Sequence, residues 1–379
     1  MVHPTAELYG SDRMLLETVR ALSPQWDVQV IVAGTGPLQQ ACRSAGAEVE
    51  TLPFPVLRKT ILHPLGLVRL FGQILVGLLA GDWMRMVRGA DVVYVNTITV
   101  PVWLLLARLA GVPAVCHVHE AEESAPAVVR RALALPLRLA RVVVANSEAA
   151  RDVLVRSDPR LAGRIQVLHN GVVGPPRTLA PVRDRATGDL RLLLVGRVSQ
   201  RKGSDVAVEA LGVLARRGWQ VRLTLAGDVF AGYEAFARML KERVEELGMA
   251  DLVSFTGFVH DVWSLYEETD IVLVPSRCEP FGNVAVEGML AGRPVIASAV
   301  QGLREILQDG VTGLLVRAGD AEALADAVER LEEDRLLAQR LATSGRRWAR
   351  DRFDVERYAE RLRDLVASLV FGDDVLVTG

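Results

Sequence analysis

The sequence predicts an α/β protein built from two doubly wound, Rossmann-like domains of parallel strands and covering helices. Three observations carry that expectation. Short apolar, β-branched runs alternate with longer helical stretches along the chain, and near-continuous apolar strands of this kind belong to parallel sheets covered on both faces. The runs fall into two sets, on either side of a stretch rich in Pro, Gly, Arg and Asp that has no periodicity. With 379 residues, 50% of them hydrophobic, the chain can bury two cores of ordinary size.

In the first half the expected strands are Asp27–Ala33, Ala47–Leu52, Asp91–Val95, Pro113–Val118, Arg141–Ala145 and Ile165–His169. A doubly wound domain should also open with a strand. Val2-His3-Pro4 is too short for a comfortable one before the loop Tyr9-Gly10-Ser11-Asp12-Arg13 and the helix Met14–Leu22. The expectation is a chain that begins late or a start that is wrongly placed, with a central strand lost and its neighbours' edges exposed. Leu62 to Gly81 is apolar, but Arg69 and Gln73 interrupt it and Asp82 ends it. Its longest uncharged stretch falls short of the ~20 residues a spanning helix needs, so a buried or interfacial helix is expected. Ala127 to Arg141 mixes arginines with apolar residues and carries Pro136, which should interrupt or kink a helix. It suits either an anionic membrane surface or a core-packed helix with a solvated arginine face. The aperiodic stretch runs from Gly171 to Leu190, and the linker proper is expected at 173–190, between a domain over 1–172 and one over 191–353. Second-half strands are expected at Leu192–Gly196, Val221–Ala226, Leu252–Thr256, Ile271–Pro275, Pro294–Ser298 and Gly313–Val316, followed by a charged helical tail from Glu322 to Leu369.

Composition narrows the function classes. A net charge of −2 argues against nucleic acid as the main partner. Cys42, Cys116 and Cys278 form neither metal spacing nor an even disulfide set, which fits a reducing, cytoplasmic setting. Met1-Val2-His3-Pro4 does not read as a signal peptide. His117 and His119 end one expected strand on the same face, with Glu120 next, but no matching third ligand cluster appears, so no metal site is expected.

The chemistry concentrates between Arg277 and Thr312. Glu279 sits in a turn after an apolar strand; Phe281, Gly282 and Asn283 open a helix, and Glu287 lies about two turns into it. A helix opening offers unpaired N–H groups and partial positive charge to an anion. The two carboxylates can accept hydrogen bonds from hydroxyls. Upstream, Gly196 ends a strand, and Arg197 and Lys202 flank a short loop before a helix, two cations able to neutralise a diphosphate or merely to form a solvated basic turn. Together they suit a sugar linked to a diphosphate.

These runs, G-R-x4-K-G at Gly196–Gly203 and E-x7-E at Glu279–Glu287, resemble retaining glycosyltransferases with the two-domain GT-B fold, in particular family 4. The resemblance is strongest from Leu192 to Val316 and weaker before Pro113. It implies two Rossmann-like domains facing across a cleft, with a last helix at 354–369 completing the first. It further implies that Arg197 and Lys202 bind the donor phosphates, Glu279 the sugar hydroxyls and Glu287 the ribose. Backbone amides near Phe281, Gly282 and Asn283 would face sugar and phosphate, Phe258 and Val259 would wall the base, and Gly10 would lie by the diphosphate. A histidine matching His119 lies beside the reacting sugar carbon in the family; His117 is expected to be structural. Gln301-Gly302-Leu303-Arg304-Glu305 resembles a G-G-x-x-E loop with Gln301 for its first glycine.

The implied activity is transfer of a sugar, with retention, from a nucleotide-diphosphate donor to a hydroxyl of a glycan or lipid-linked acceptor, in cell-surface polysaccharide or glycolipid synthesis. His119, Glu279, Arg197 and Lys202 would carry it with no cofactor and no metal, in the cytoplasm and with peripheral contact at the inner face of the membrane left open. Two other readings stand beside it: a nucleotide-sugar epimerase on the same fold, and a catalytically silent sugar-nucleotide-binding protein.

Overall fold

The structure is a computed structural model and describes residues 1–57, 81–120, 123, 125–181, 188–229 and 232–372. The chain forms two compact units, Met1–Gly171 with Val355–Gly379, and Val172–Asp354. The apolar segment from Leu62 to Gly81 lies almost wholly outside the described residues. Among the described residues no helix is long and apolar enough to cross a membrane.

The first unit holds a parallel sheet in the order β3-β2-β1-β4-β5-β6-β7. Its strands are β1 Val2–His3, β2 Gln29–Val32, β3 Glu48–Thr51, β4 Val93–Val95, β5 Ala114–Val118, β6 Val142–Ala145 and β7 Ile165–Val167. The central strand is therefore present, contrary to the expectation from Val2-His3-Pro4. Two residues suffice because both neighbours hold them: Val2 pairs with Ile31 on one side and Val95 on the other. Period-two alternation sends β2 to both faces. Val30 and Val32 join one core with Val115 and Val144, while Ile31 joins the other with Val95, Cys116 and Val143. The helix Val355–Phe371 buries Tyr358, Leu362 and Val366 in the first of these cores, and the Tyr358 hydroxyl lies 2.8 Å from Thr18 Oγ1 on the helix Gly10–Leu22. The basic segment is broken where Pro136 requires it: an α-helix spans Ala127–Ala134 and a tighter 3-10 turn spans Leu135–Leu139.

The second unit holds a parallel sheet in the order β10-β9-β8-β11-β12-β13. These strands are β8 Leu190–Val195, β9 Val221–Ala226, β10 Val253–Gly257, β11 Ile271–Val274, β12 Val295–Ser298 and β13 Leu314–Val316. Leu192 and Leu194 pack under the helices Ser204–Arg216 and Ala321–Glu333. Leu193 turns to the opposite face with Val272, Val274 and the helix Asn283–Leu290. Each such aliphatic side chain contributes about 1.5–3 kcal/mol on burial. In both units the first strand has its successor on one side and the fourth strand on the other. That reversal leaves a crevice at the carboxyl ends of the strands, where doubly wound sheets bind ligands.

Candidate active site

In the second unit the reversal lies between β8 and β11, and the loops after these strands bring the predicted charges together. Lys202 Nζ, from the 3-10 turn Gln200–Lys202, donates to Glu279 Oε2 at 2.5 Å, and Ser276 Oγ donates to the same oxygen at 3.2 Å. Burial pushes the Glu279 carboxyl up, but the charges of Lys202 and Arg201 and the bonds from Lys202 and Ser276 outweigh it and hold Glu279 below the usual carboxylate range. Both loops are fixed from behind. Arg277 forks onto Asp205 at 2.7 and 2.8 Å and donates to the Gln200 carbonyl at 2.8 Å, while its own amide donates to the Arg201 carbonyl at 2.8 Å. Gly203 has φ +72°, and a Cβ there would stand 2.0 Å from the Pro275 carbonyl oxygen, so only glycine lets the two loops approach this closely.

Gly282, at φ +120°, caps the helix Asn283–Leu290, whose first residue is Asn283. Phe281 is buried edge-on against Phe353 at 5.6 Å, so only its backbone is left to meet a ligand. Glu287 is buried and accepts from the Tyr266 hydroxyl at 2.9 Å. Gln301 holds φ +35° where a glycine was expected, and its Oε1 accepts from the Glu279 amide at 2.9 Å; the substitution adds a tether to the Glu279 turn. Gly196 follows β8 beside the aliphatic stem of Lys202, and Arg197 comes next, half-buried. Phe258 and Val259 follow β10, with the Phe258 amide bonded to Asp228 Oδ1 at 3.0 Å. Sequence reasoning missed Tyr266, Ser276 and the Arg277–Asp205 fork, which have no local pattern to announce them.

In the first unit the reversal lies between β1 and β4, and a chain of buried polar groups crosses it. Asp12 Oδ1 meets His3 Nε2 at 2.7 Å, His3 Nδ1 meets Asn96 Nδ2 at 3.1 Å, and Asn96 Oδ1 meets His119 Nε2 at 3.0 Å. His117 lies against His119 with ring centroids 4.1 Å apart and planes tilted by 40°, and its Nδ1 meets the Tyr94 hydroxyl at 2.7 Å. Burial, then the neighbouring His117 and His3, holds His119 well below the ordinary histidine range; burial alone takes His117 down to about 3. Both rings are therefore neutral at pH 7. Glu120 accepts from Thr97 Oγ1 and from the His119 amide, and burial raises its pKa despite those bonds. Among the described residues no group of three or more His, Cys, Asp or Glu side chains could hold a metal ion. Gly10 opens its helix on the exposed surface with free space where a Cβ would stand, so nothing within this unit requires glycine there. The cap of that helix is Tyr9, whose amide donates to Asp12 Oδ2 at 3.0 Å.

Comparison with known proteins agrees with this architecture. The family model described as glycosyl transferases group 1 matches residues 178–348, and that of glycosyltransferase family 4 matches residues 9–173. The α-D-kanosaminyltransferase of Streptomyces kanamyceticus is 30% identical over 259 residues, 63% of this chain and 66% of that protein. The lipopolysaccharide core biosynthesis mannosyltransferase LpcC of Rhizobium leguminosarum bv. viciae is 34% identical over 179 residues, 47% of this chain and 51% of that protein. The match thus spans about half to two thirds of the length of these relatives. Among solved structures, HepE of Anabaena in complex with UDP and glucose superposes with a TM-score of 0.83 at 24% identity, covering 97% of this chain and 98% of that one, which shows the fold. Two doubly wound units with this match and two adjoining family models spanning most of the sequence lead to one assignment: the chain belongs to the GT-B glycosyltransferases of group 1, family 4.

Proposed function

We propose that the protein transfers a glycosyl unit from a nucleoside-diphosphate sugar to an acceptor hydroxyl with retention of configuration. The observation that carries this reading is the Lys202–Glu279 pair, 2.5 Å apart at the strand reversal of the second unit and next to a helix opening. The bond that breaks joins the anomeric carbon to a diphosphate oxygen. Positive charge builds on the carbon and negative charge on the leaving group. Arg197, Lys202 and the amides at Gly282 and Asn283 stabilise that negative charge, a contribution of several kcal/mol when such donors are fixed in advance. Glu279 accepts from sugar hydroxyls and Glu287, oriented by Tyr266, from the ribose. The acceptor oxygen forms the new bond, and its proton passes to the departing phosphate. The first unit takes the acceptor, with His119 as its substrate-facing residue.

The relatives and one surface support an acceptor class. LpcC is a lipopolysaccharide core mannosyltransferase, and Val128 and Leu135 stand exposed in the basic segment of the first unit beside Arg131. Arg130 and Arg138 of that segment are engaged internally, with the Glu123 and Ala125 carbonyls and with Asp158. A lipid-linked glycan acceptor met at an anionic membrane face fits this arrangement.

A donor screen tests the reading. Purified protein with UDP-, GDP- and ADP-sugars and chelator present should release nucleoside diphosphate with at least one donor, and that diphosphate should raise the unfolding temperature. Binding without release identifies a silent binder, and a free epimerised nucleotide sugar identifies an epimerase. No effect of any nucleotide refutes donor binding altogether.

A further inference from the structure

We infer that Asp12, His3 and Asn96 are positioning residues that lock His119 into a single tautomer, with the proton on Nε2 and the lone pair on Nδ1. The inference rests on the reading of His119 as a substrate-facing residue, but the hydrogen-bond logic stands without it. It starts from a group whose role is fixed. The Ser11 carbonyl can only accept, and it lies 3.1 Å from Asn96 Nδ2, so that atom is the amide nitrogen and not its oxygen. The second hydrogen on Nδ2 points to His3 Nδ1 at 3.1 Å, which must therefore accept. The His3 ring proton then sits on Nε2 and is donated to Asp12 Oδ1 at 2.7 Å. Asp12 is secured as an acceptor: Thr5 Oγ1 donates to Oδ1 at 2.6 Å and the Tyr9 amide to Oδ2 at 3.0 Å. With the Asn96 amide so oriented, its Oδ1 faces His119 Nε2 at 3.0 Å, and an oxygen there requires a proton on that nitrogen.

Each link forces the next, and the chain ends at a defined atom. His119 Nδ1 then carries no proton, and among the described residues it has no hydrogen-bond partner. A buried acceptor left unmatched costs free energy, so it is a place where a bound O–H or N–H is rewarded and an anionic oxygen is rejected. The His117 ring, tilted against it and tied to Tyr94, packs on the imidazole from one side. The four elements that supply the relay are β1, the helix Gly10–Leu22, the end of β4 and the end of β5, so the geometry is set by the sheet and not by a loop alone.

The test reads the tautomer directly. Protein labelled with 15N at histidine, free of ligand and with His119 assigned from His119→Ala, should show His119 protonated at Nε2 and bare at Nδ1. Asn96→Ala should turn that signal into a tautomer average. In transfer assays it should lower kcat about five- to tenfold, the loss expected for one positioning hydrogen bond, with donor KM within about twofold. Asp12→Asn, which keeps the shape of the carboxylate, should shift the His119 signal in the same direction. A proton on Nδ1 of His119 in the unsubstituted protein, or an unchanged tautomer in folded Asn96→Ala, overturns the inference. A protein that shows the assigned tautomer yet transfers no sugar refutes the proposed function and leaves the relay standing.

Discussion

Replacing Lys202 by methionine should destabilise the protein, and replacing Glu279 by glutamine in the same chain should restore stability without restoring transfer. Lys202 and Glu279 keep 17% and 10% of their side-chain exposure, so the pair is largely cut off from water. Removing one partner of a fully buried pair costs roughly 3–5 kcal/mol, and the residual solvent access here brings the expectation to about 2 kcal/mol at pH 7. A domain of this size then loses roughly 4–8 °C of unfolding temperature. The pH dependence carries the sharper test. In the intact protein Glu279 titrates below its unfolded value, so its contribution is present above a pH of about 4.3 and is lost as pH falls through the lower, folded value. Without Lys202, burial dominates and the folded value rises above the unfolded one. The penalty should then be full at neutral pH and fade as pH falls through the raised value. Thermal unfolding of the wild type, Lys202→Met and Lys202→Met/Glu279→Gln at pH 7.5 and near pH 4 checks this. The reasoning fails if single and double variants unfold together at pH 7.5, or if the single variant's deficit is as large in acid.

Three further outcomes are expected. His117 is held near 3 by burial, so its neutral form stabilises the fold above a pH of about 6.5 and progressively less as pH drops toward 3; wild type should lose up to ~1.4 kcal/mol per pH unit more than His117→Gln over that window, read as diverging unfolding temperatures. Tyr266→Phe removes the 2.9 Å bond to Glu287 and should weaken nucleotide binding by about 1–2 kcal/mol in calorimetry, with kcat nearly unchanged. Gly203→Ala places a methyl group 2.0 Å from the Pro275 carbonyl at a left-handed φ, and should cost at least ~1 kcal/mol of stability and reduce kcat/KM as Lys202 moves away from Glu279.

The strands were legible because they are dense in apolar and β-branched residues: each of the twelve runs read from the sequence overlaps a strand of one of the two sheets, with β8 starting two residues earlier and β10 ending one residue later than read. The remaining strand among the described residues, β1, escaped because its existence is a property of its neighbours, Ile31 and Val95, which supply the pairing that two residues cannot supply alone. At the site, Glu279, Glu287, Arg197 and Lys202 stood out through spacing, but the ion pair between two of them did not, since it joins loops 77 residues apart. His119 stood out at a strand end, while Asn96 and His3, 93 residues apart and directly bonded, left no periodic trace. Such partners are chosen by the order of strands in a sheet, which a linear pattern does not encode. Gln301 shows the same limit from the other side: in the sequence it is only a departure from the first glycine of the loop, and in three dimensions its side chain holds the Glu279 turn.

The helix Val355–Phe371 belongs to the unit that the first 171 residues build. During synthesis on the ribosome that unit therefore waits, with the surface around Thr18 and Leu168 uncovered, until this helix has left the exit tunnel. The intervening unit is contiguous and can mature first. Nascent chains halted before Val355 should accordingly recruit chaperones through the unit left incomplete, and loss of a few turns of this helix should harm the unit whose sheet was made well before it.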